Sequence, residues 1–189
     1  LLDRHPEFRV SFSFSGIVLE QFEKYAPEVL DSFRQLVSTK KVEILDETYH
    51  HSLAFIYSKK EFEEQIKLHA EKIRKLFKYK PQIFRNTELI YNNEMACFVE
   101  KMGYKGVLAE GADSILGWKS PNFLYKPKTS NGLKLLLKNY KLSDDIAFRF
   151  SERSWPEWPL TADKFARWVS AINGNGVCAN LFMDYETFG

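Results

Sequence analysis

Lys41-Val-Glu-Ile-Leu45 has the composition of a short buried strand, and after the polar stretch Asp46-Glu-Thr-Tyr-His-His51 a long helical pattern follows it. From Ser58 to Phe77 the apolar residues Phe62, Ile66, Ala70, Ile73 and Phe77 recur at intervals of three and four, which puts them on one helix face. Gln82-Ile-Phe-Arg85 then reads as a second strand. Strand, crossover helix and strand in that order make a parallel pair with a right-handed connection. A chain that repeats this unit builds a parallel sheet, either closed into a barrel or open and doubly wound.

The repeat extends in both directions. Phe8-Arg-Val-Ser-Phe-Ser-Phe14 alternates large apolar with small or polar residues and stops at Ser15-Gly16, a strand and a turn, with helix expected from there to about Val37. Beyond Arg85 come a helix over Asn93–Lys101 stopped by Gly103, a strand Gly106-Val-Leu-Ala109 and a long loop from Gly111 to Ser130. A short helix over Leu133–Lys138, a strand over Ile146–Phe150, a helix over Ala162–Asn173 ended by Gly174 and a strand over Val177–Met183 complete the reading, six strands in all. No glycine-rich phosphate fingerprint follows any strand, which disfavours a nucleotide-binding open sheet. Polar residues gather at strand carboxyl ends, and 46–51 is expected to project there, which favours a barrel mouth. With no linker or repeat of solenoid period, residues 1–189 read as a single domain.

Composition narrows the class. A hydrophobic content of 44% and a charged content of 28% over 189 residues describe a globular chain with one core. The 27 basic and 25 acidic residues leave a net charge of +2, too weak a field to attract nucleic acid, and the run containing Glu71, Lys72, Arg74 and Lys75 reads as a solvated helix face. No apolar run has the length of a membrane span. Cys97 and Cys178 sit in apolar contexts without metal-ligand spacing, and with no visible export signal they point to a cytoplasmic protein. The chain opens on Leu1-Leu-Asp3 and stops after Asp184-Tyr-Glu-Thr-Phe-Gly189, so both ends are expected to be cuts in a longer protein. Oligomeric state is not legible.

Phe84-Arg-Asn-Thr-Glu-Leu-Ile-Tyr91 and Leu181-Phe-Met-Asp-Tyr-Glu-Thr-Phe-Gly189 each place a carboxylate, Glu88 and Asp184, after an apolar strand. Strand ends around one barrel mouth can bring these distant groups together. Two converging carboxylates suit cleavage of a glycosidic bond, with retention at about 5 to 5.5 Å separation and inversion at about 6.5 to 9.5 Å. Arg85, Asn86 and Thr87 could support a charge on Glu88, whereas the apolar Leu181-Phe-Met183 favours a neutral Asp184. Trp155 and Trp158, flanking Pro156-Glu157, suit either stacking on a sugar or packing of the scaffold. Asp46, Glu47, His50 and His51 cluster without the spacing of a metal site, so no metal and no cofactor is expected.

These residues resemble the catalytic domain of the α-amylase-like proteins of glycoside hydrolase family 57. Val42-Glu-Ile-Leu-Asp-Glu-Thr-Tyr-His-His-Ser-Leu-Ala54 is similar to the family's second conserved region, Phe84–Tyr91 to its third and Phe182–Gly189 to its fourth. Ala109-Glu-Gly-Ala-Asp-Ser-Ile-Leu-Gly-Trp-Lys-Ser-Pro121 and Phe148-Arg-Phe-Ser-Glu-Arg-Ser-Trp-Pro-Glu-Trp-Pro-Leu160 extend the likeness over nearly the whole chain. The resemblance implies an α/β fold, an irregular parallel (β/α)7-type barrel whose first strand, with a His-Gln-Pro motif, is not among these residues. It implies Glu88 as nucleophile and Asp184 as general acid/base of a retaining enzyme acting on α-1,4 links of an α-glucan. His51, Glu186, Trp155, Trp158 and Trp118 are the substrate-binding residues in this reading. A histidine at position 51 leans towards an amylase, but a 4-α-glucanotransferase or branching enzyme would use the same acids. A non-catalytic glucan-binding relative is a further alternative.

Overall fold

The computed structural model describes residues 1–128, 130 and 132–188, so Gly189, the last residue of the fourth conserved stretch, lies outside the described residues, as do Thr129 and Asn131. In chain order the elements are β1 (Val10–Phe12), α1 (Gly16–Tyr25), α2 (Pro27–Ser38), β2 (Val42–Ile44), one-turn α3 (Ala54–Tyr57), α4 (Lys59–Phe77), β3 (Ile83–Arg85), α5 (Asn93–Lys101), β4 (Gly106–Glu110), one-turn α6 (Asp113–Leu116), β5 (Lys134–Lys138), α7 (Tyr140–Asp144) and α8 (Ala162–Ser170). Side-chain caps start the main helices: Ser15 accepts from the Val18 amide, Ser58 from Glu61, Asn92 from Met95 and Thr161 from Lys164. Pro27 opens α2 and divides the expected single helix in two.

The strands pair in parallel as β1-β2 and β3-β4-β5. A single parallel bridge, Asp46 to Phe84, joins the two sheets: the Asp46 amide donates to Ile83 O at 2.9 Å and the Arg85 amide donates to Asp46 O at 2.8 Å. At the other edge Lys138 bridges to Asn180. Each strand therefore lies beside its sequence neighbour, as in a singly wound parallel arc, and the sheets are not closed. Helices cover one face. Phe62 and Ile66 of α4 join Phe84, Val107, Leu135 and α5 in one apolar cluster, while Ile73, Leu76 and Phe77 of the same helix join Phe14, Ile44, α1 and α2 in a second.

Four expectations are corrected. The helix expected over Leu133–Lys138 is instead strand β5, Lys134–Lys138; Leu133, Leu135 and Leu137 are buried in alternation with Lys134, Leu136 and Lys138, and this two-residue period outweighs the helix propensity of leucine and lysine. Ile146–Phe150 is not a strand, since residues Asp145–Arg149 continue α7 as a wide helical turn tied by an Arg149–Asp145 ion pair at 2.5 Å. The strand expected over Val177–Met183 is reduced to the Asn180 bridge. The six expected strands thus become five and a bridge among the described residues. Residues 46–49 do not project either, because Asp46, Glu47, Thr48 and Tyr49 are all buried. Among the described residues no helix is long and apolar enough to cross a membrane, and Cys97 and Cys178 are free and half-buried.

At the junction of the sheets His69, on α4 between its two apolar halves, presents Nδ1 to Asp46 Oδ1 at 2.5 Å and Nε2 to the Phe14 carbonyl at 2.6 Å. Tyr104 donates to the other carboxylate oxygen and the Glu47 amide donates to Oδ1 at 3.1 Å. Burial alone would lower the His69 pKa, but the Asp46 carboxylate, the Phe14 carbonyl and the charge of Glu47 outweigh it and raise it above 6.5. Burial and Asp46 push the Tyr104 phenol up as well, so it stays a donor. Stability from the raised His69 is fully present below the unfolded-state value and is lost as pH rises through the folded-state value. His69→Gln should destabilise by roughly 3 kcal/mol and abolish that loss, read by urea unfolding at about pH 6 and about pH 9.

Candidate active site

The carboxyl ends of β2 and β3 run into two loops that are stitched together. Thr48 Oγ lies 3.2 Å from Thr87 Oγ, Thr87 donates to Ser52 O at 3.0 Å, and the Ser52 amide donates back to Thr48 Oγ at 2.8 Å. Asn86 Nδ2 closes the second loop on Ile90 O at 3.0 Å. The stitching brings His51 to Glu88, with His51 Nε2 3.3 Å from Glu88 Oε1. His50 instead packs edge-on to Tyr49, at 5.1 Å between ring centroids, so of the two adjacent histidines it is His51 that faces the carboxylate.

Beneath this pair lies a buried polar group built on Glu47 and Arg85. The Glu47 side chain is 2% exposed; Oε1 lies 3.2 Å from His51 Nδ1, Oε2 lies 3.6 Å from Arg85 Nη1, and Ser13 donates to it. Arg85 Nη1 also reaches His51 Nδ1 at 3.3 Å. Asp46 faces the helix layer and Glu47 the mouth, so the acidic pair is divided, and among the described residues no group of three or more His, Cys, Asp or Glu is placed to hold a metal ion. A visible signal for the buried network was His69 on the apolar stripe of α4, three residues after Ile66 and four before Ile73.

Glu88, at 71% side-chain exposure, has a left-handed backbone (φ 55°, ψ 23°), as do Leu89 (φ 53°) and His51 (φ 52°). Lys40 and Lys78 share that conformation just after helices, where it is ordinary capping; the other three have no such explanation. Each left-handed non-glycine residue stores about 1 to 3 kcal/mol, and such strain gathers at working sites. Glu88 also rims a cavity of about 650 Å³ lined by Leu89, Tyr91, Leu116 and Tyr125. A second cavity of about 460 Å³, lined by Arg9, Lys40, Lys41 and Glu43, lies at the amino ends of β1 and β2, remote from every candidate residue.

Asp184 approaches from the other edge of the arc. Phe182 stacks beneath Arg85, its ring centroid 5.2 Å from the guanidinium carbon, and Tyr185 packs edge-on to Phe12 at 5.7 Å. Asp184 lies between these anchors, exposed, so the apolar surroundings expected for it do not close over the carboxyl. Glu186 is exposed in the following turn, Tyr185–Phe188. Trp155 is half-buried and packs edge-on against Trp168 at 5.9 Å; Trp158 is 44% exposed and Trp118, after α6, is 93% exposed.

Comparison with known proteins follows the same outline. The family model of glycosyl hydrolase family 57 matches residues 1–189. A protein of Methanocaldococcus jannaschii, provisionally named an alpha-amylase, is 47% identical over 190 residues, covering 100% of this chain and 40% of the relative, so the chain spans well under half of that protein. The crystal structure of a 4-alpha-glucanotransferase from Thermococcus litoralis matches with a TM-score of 0.67 at 23% identity, over 78% of this chain and 24% of that one. A Mycobacterium smegmatis structure, provisionally named a polysaccharide deacetylase, matches with a TM-score of 0.62 at 15% identity, over 92% of this chain and 56% of that one. At these identities the structural likeness is one of fold.

The strain at Glu88 has a direct test. Glu88→Gly should raise the unfolding free energy by about 1 kcal/mol in denaturant titration, since glycine carries no left-handed penalty. Unchanged or lower stability would show that the turn is not strained.

Proposed function

The chain belongs to glycosyl hydrolase family 57, and from that premise we propose that it forms the catalytic core of a retaining α-glucan hydrolase of α-amylase type. In this reading residues 1–189 are one catalytic domain, and the parallel arc is part of an irregular (β/α)7-type barrel in the whole protein. Glu88 is the nucleophile: its ionised carboxylate attacks the anomeric carbon while Asp184, protonated, gives its proton to the departing glycosidic oxygen. The bond to the leaving sugar breaks as the bond to Glu88 forms. Asp184, now a carboxylate, then takes a proton from water, whose oxygen displaces Glu88 and restores the original anomeric configuration. His51 and Glu186 bind sugar hydroxyls, and Trp155, Trp158 and Trp118 offer apolar faces for the rings. No cofactor enters the scheme.

The observation that carries the reading is the Glu88 carboxylate, held by His51 in a strained turn at a strand's carboxyl end, while Phe182, two residues before Asp184, seats on the Arg85 guanidinium that also meets His51. The name of the M. jannaschii relative and the histidine at position 51 favour hydrolysis over transfer. In a 4-α-glucanotransferase or branching enzyme a sugar hydroxyl would replace the water, with the same two acids.

In the protein that carries this chain, Glu88→Gln and Asp184→Asn should each lower amylose cleavage by about a thousandfold or more while leaving the fold intact by circular dichroism. The first product should keep the α configuration in proton NMR. Lengthened chains in place of new reducing ends would assign a transferase, and glucan binding with no turnover in the wild type would assign a binding protein.

A further inference from the structure

His51 Nδ1 has two neighbours of opposite hydrogen-bonding character. Glu47 Oε1, at 3.2 Å, can only accept when ionised, and Arg85 Nη1, at 3.3 Å, can only donate. On its other side Nε2 meets Glu88 Oε1 at 3.3 Å, again an acceptor when ionised. Glu47, Arg85 and Glu88 are the charged groups that face this ring among the described residues.

We propose that Glu47 and Arg85 are positioning residues that keep a proton on His51 Nε2 in both charge states of the imidazole, so that His51 always donates to Glu88. When the ring is an imidazolium, Nδ1–H donates to Glu47 and Nε2–H donates to Glu88. When the ring is neutral, Arg85 donates to a bare Nδ1, and the remaining proton stays on Nε2. The third possibility, a neutral ring protonated at Nδ1, would set the Nε2 lone pair against the Glu88 carboxylate. The favoured form likewise leaves a bare Nδ1 near the Glu47 carboxylate, but there Arg85 supplies a donor at 3.3 Å, whereas Nε2 meets only the Glu88 acceptor among the described residues. The arrangement holds the Glu88 carboxylate in one orientation whichever charge state the ring adopts. Glu47 and Arg85 are themselves fixed: both are buried, Ser13 donates to Glu47, and Phe182 stacks beneath the guanidinium.

The inference deepens the proposed role of Glu88, and its test does not depend on that role. The nitrogen-15 spectrum of the wild-type protein, followed upward in pH until the ring has lost its second proton, reports the tautomer of the neutral ring directly. The expected result is His51 protonated at Nε2. In Arg85→Met, Nδ1 loses its donor and the neutral Nε2–H tautomer should disappear, whereas in Glu47→Gln the amide can donate in place of Arg85 and that tautomer should persist. A wild-type ring protonated at Nδ1, or an Nε2–H tautomer unaffected by Arg85→Met, overturns the proposal. The wild-type spectrum decides even if neither variant folds. Failure of Glu88→Gln to reduce cleavage would remove the nucleophile assignment and leave the tautomer result standing.

Discussion

Asp46 is the constraint on which the rest of the arrangement rests. Its backbone carries the only pairing among the described residues that joins the β1-β2 sheet to the β3-β4-β5 sheet, while its side chain is fully buried and fixed by His69 of α4 and by Tyr104 of the turn after α5. A buried ion pair is no guarantee of extra stability, because desolvation opposes the Coulombic gain. What it supplies here is register. A slip of one residue would turn the Asp46 side chain to the other face and leave His69 without its partner, so the correct strand alignment is separated from its neighbours by the penalty of an uncompensated buried charge. The next residue, Glu47, is thereby aimed into the mouth beneath His51.

Two consecutive acids thus do opposite jobs because a strand alternates its faces. Asp46 fixes the scaffold and Glu47 supports the site. The loops above them are less relaxed: the positive φ of His51, Glu88 and Leu89 is sustained by hydrogen bonds among Thr48, Ser52 and Thr87 and by the bond from Asn86 to Ile90 O. A stiff, well-paired base beneath a strained turn is the arrangement expected where a carboxylate must be held in one orientation.

The parallel α/β class was legible because α4 writes its apolar face at helical spacing and the flanking runs are short and apolar. The boundaries of α5 were legible from composition and its terminating Gly103. What failed was local and has a physical cause. Lys134-Leu-Leu-Leu-Lys138 satisfies either period over so few residues, and only its place beside β4 decides for a strand. Ile146-Ala-Phe-Arg-Phe150 alternates like a strand, yet Phe148 and Phe150 are exposed and no sheet edge receives them among the described residues. Glu88 and His51 were legible as site candidates. Arg85 was legible only as a support for Glu88 and Glu47 not at all, because nothing in a one-dimensional pattern reveals which charged residue of a strand end is buried and paired.

The segment from Asn180 to Tyr185 has a mechanical meaning beyond its acidic residue. Asn180 is pinned to the end of β5 through Lys138, and Tyr185 is pinned to Phe12 of β1 and Phe33 of α2. Five residues of main chain span no more than about 18 Å even when fully drawn out. The segment is therefore a tether between the two outermost strands, and its length sets an upper limit on how far the arc can gape. Any opening of the arc must take up slack in this tether first, and beyond that it must peel the Tyr185 ring from its aromatic seat.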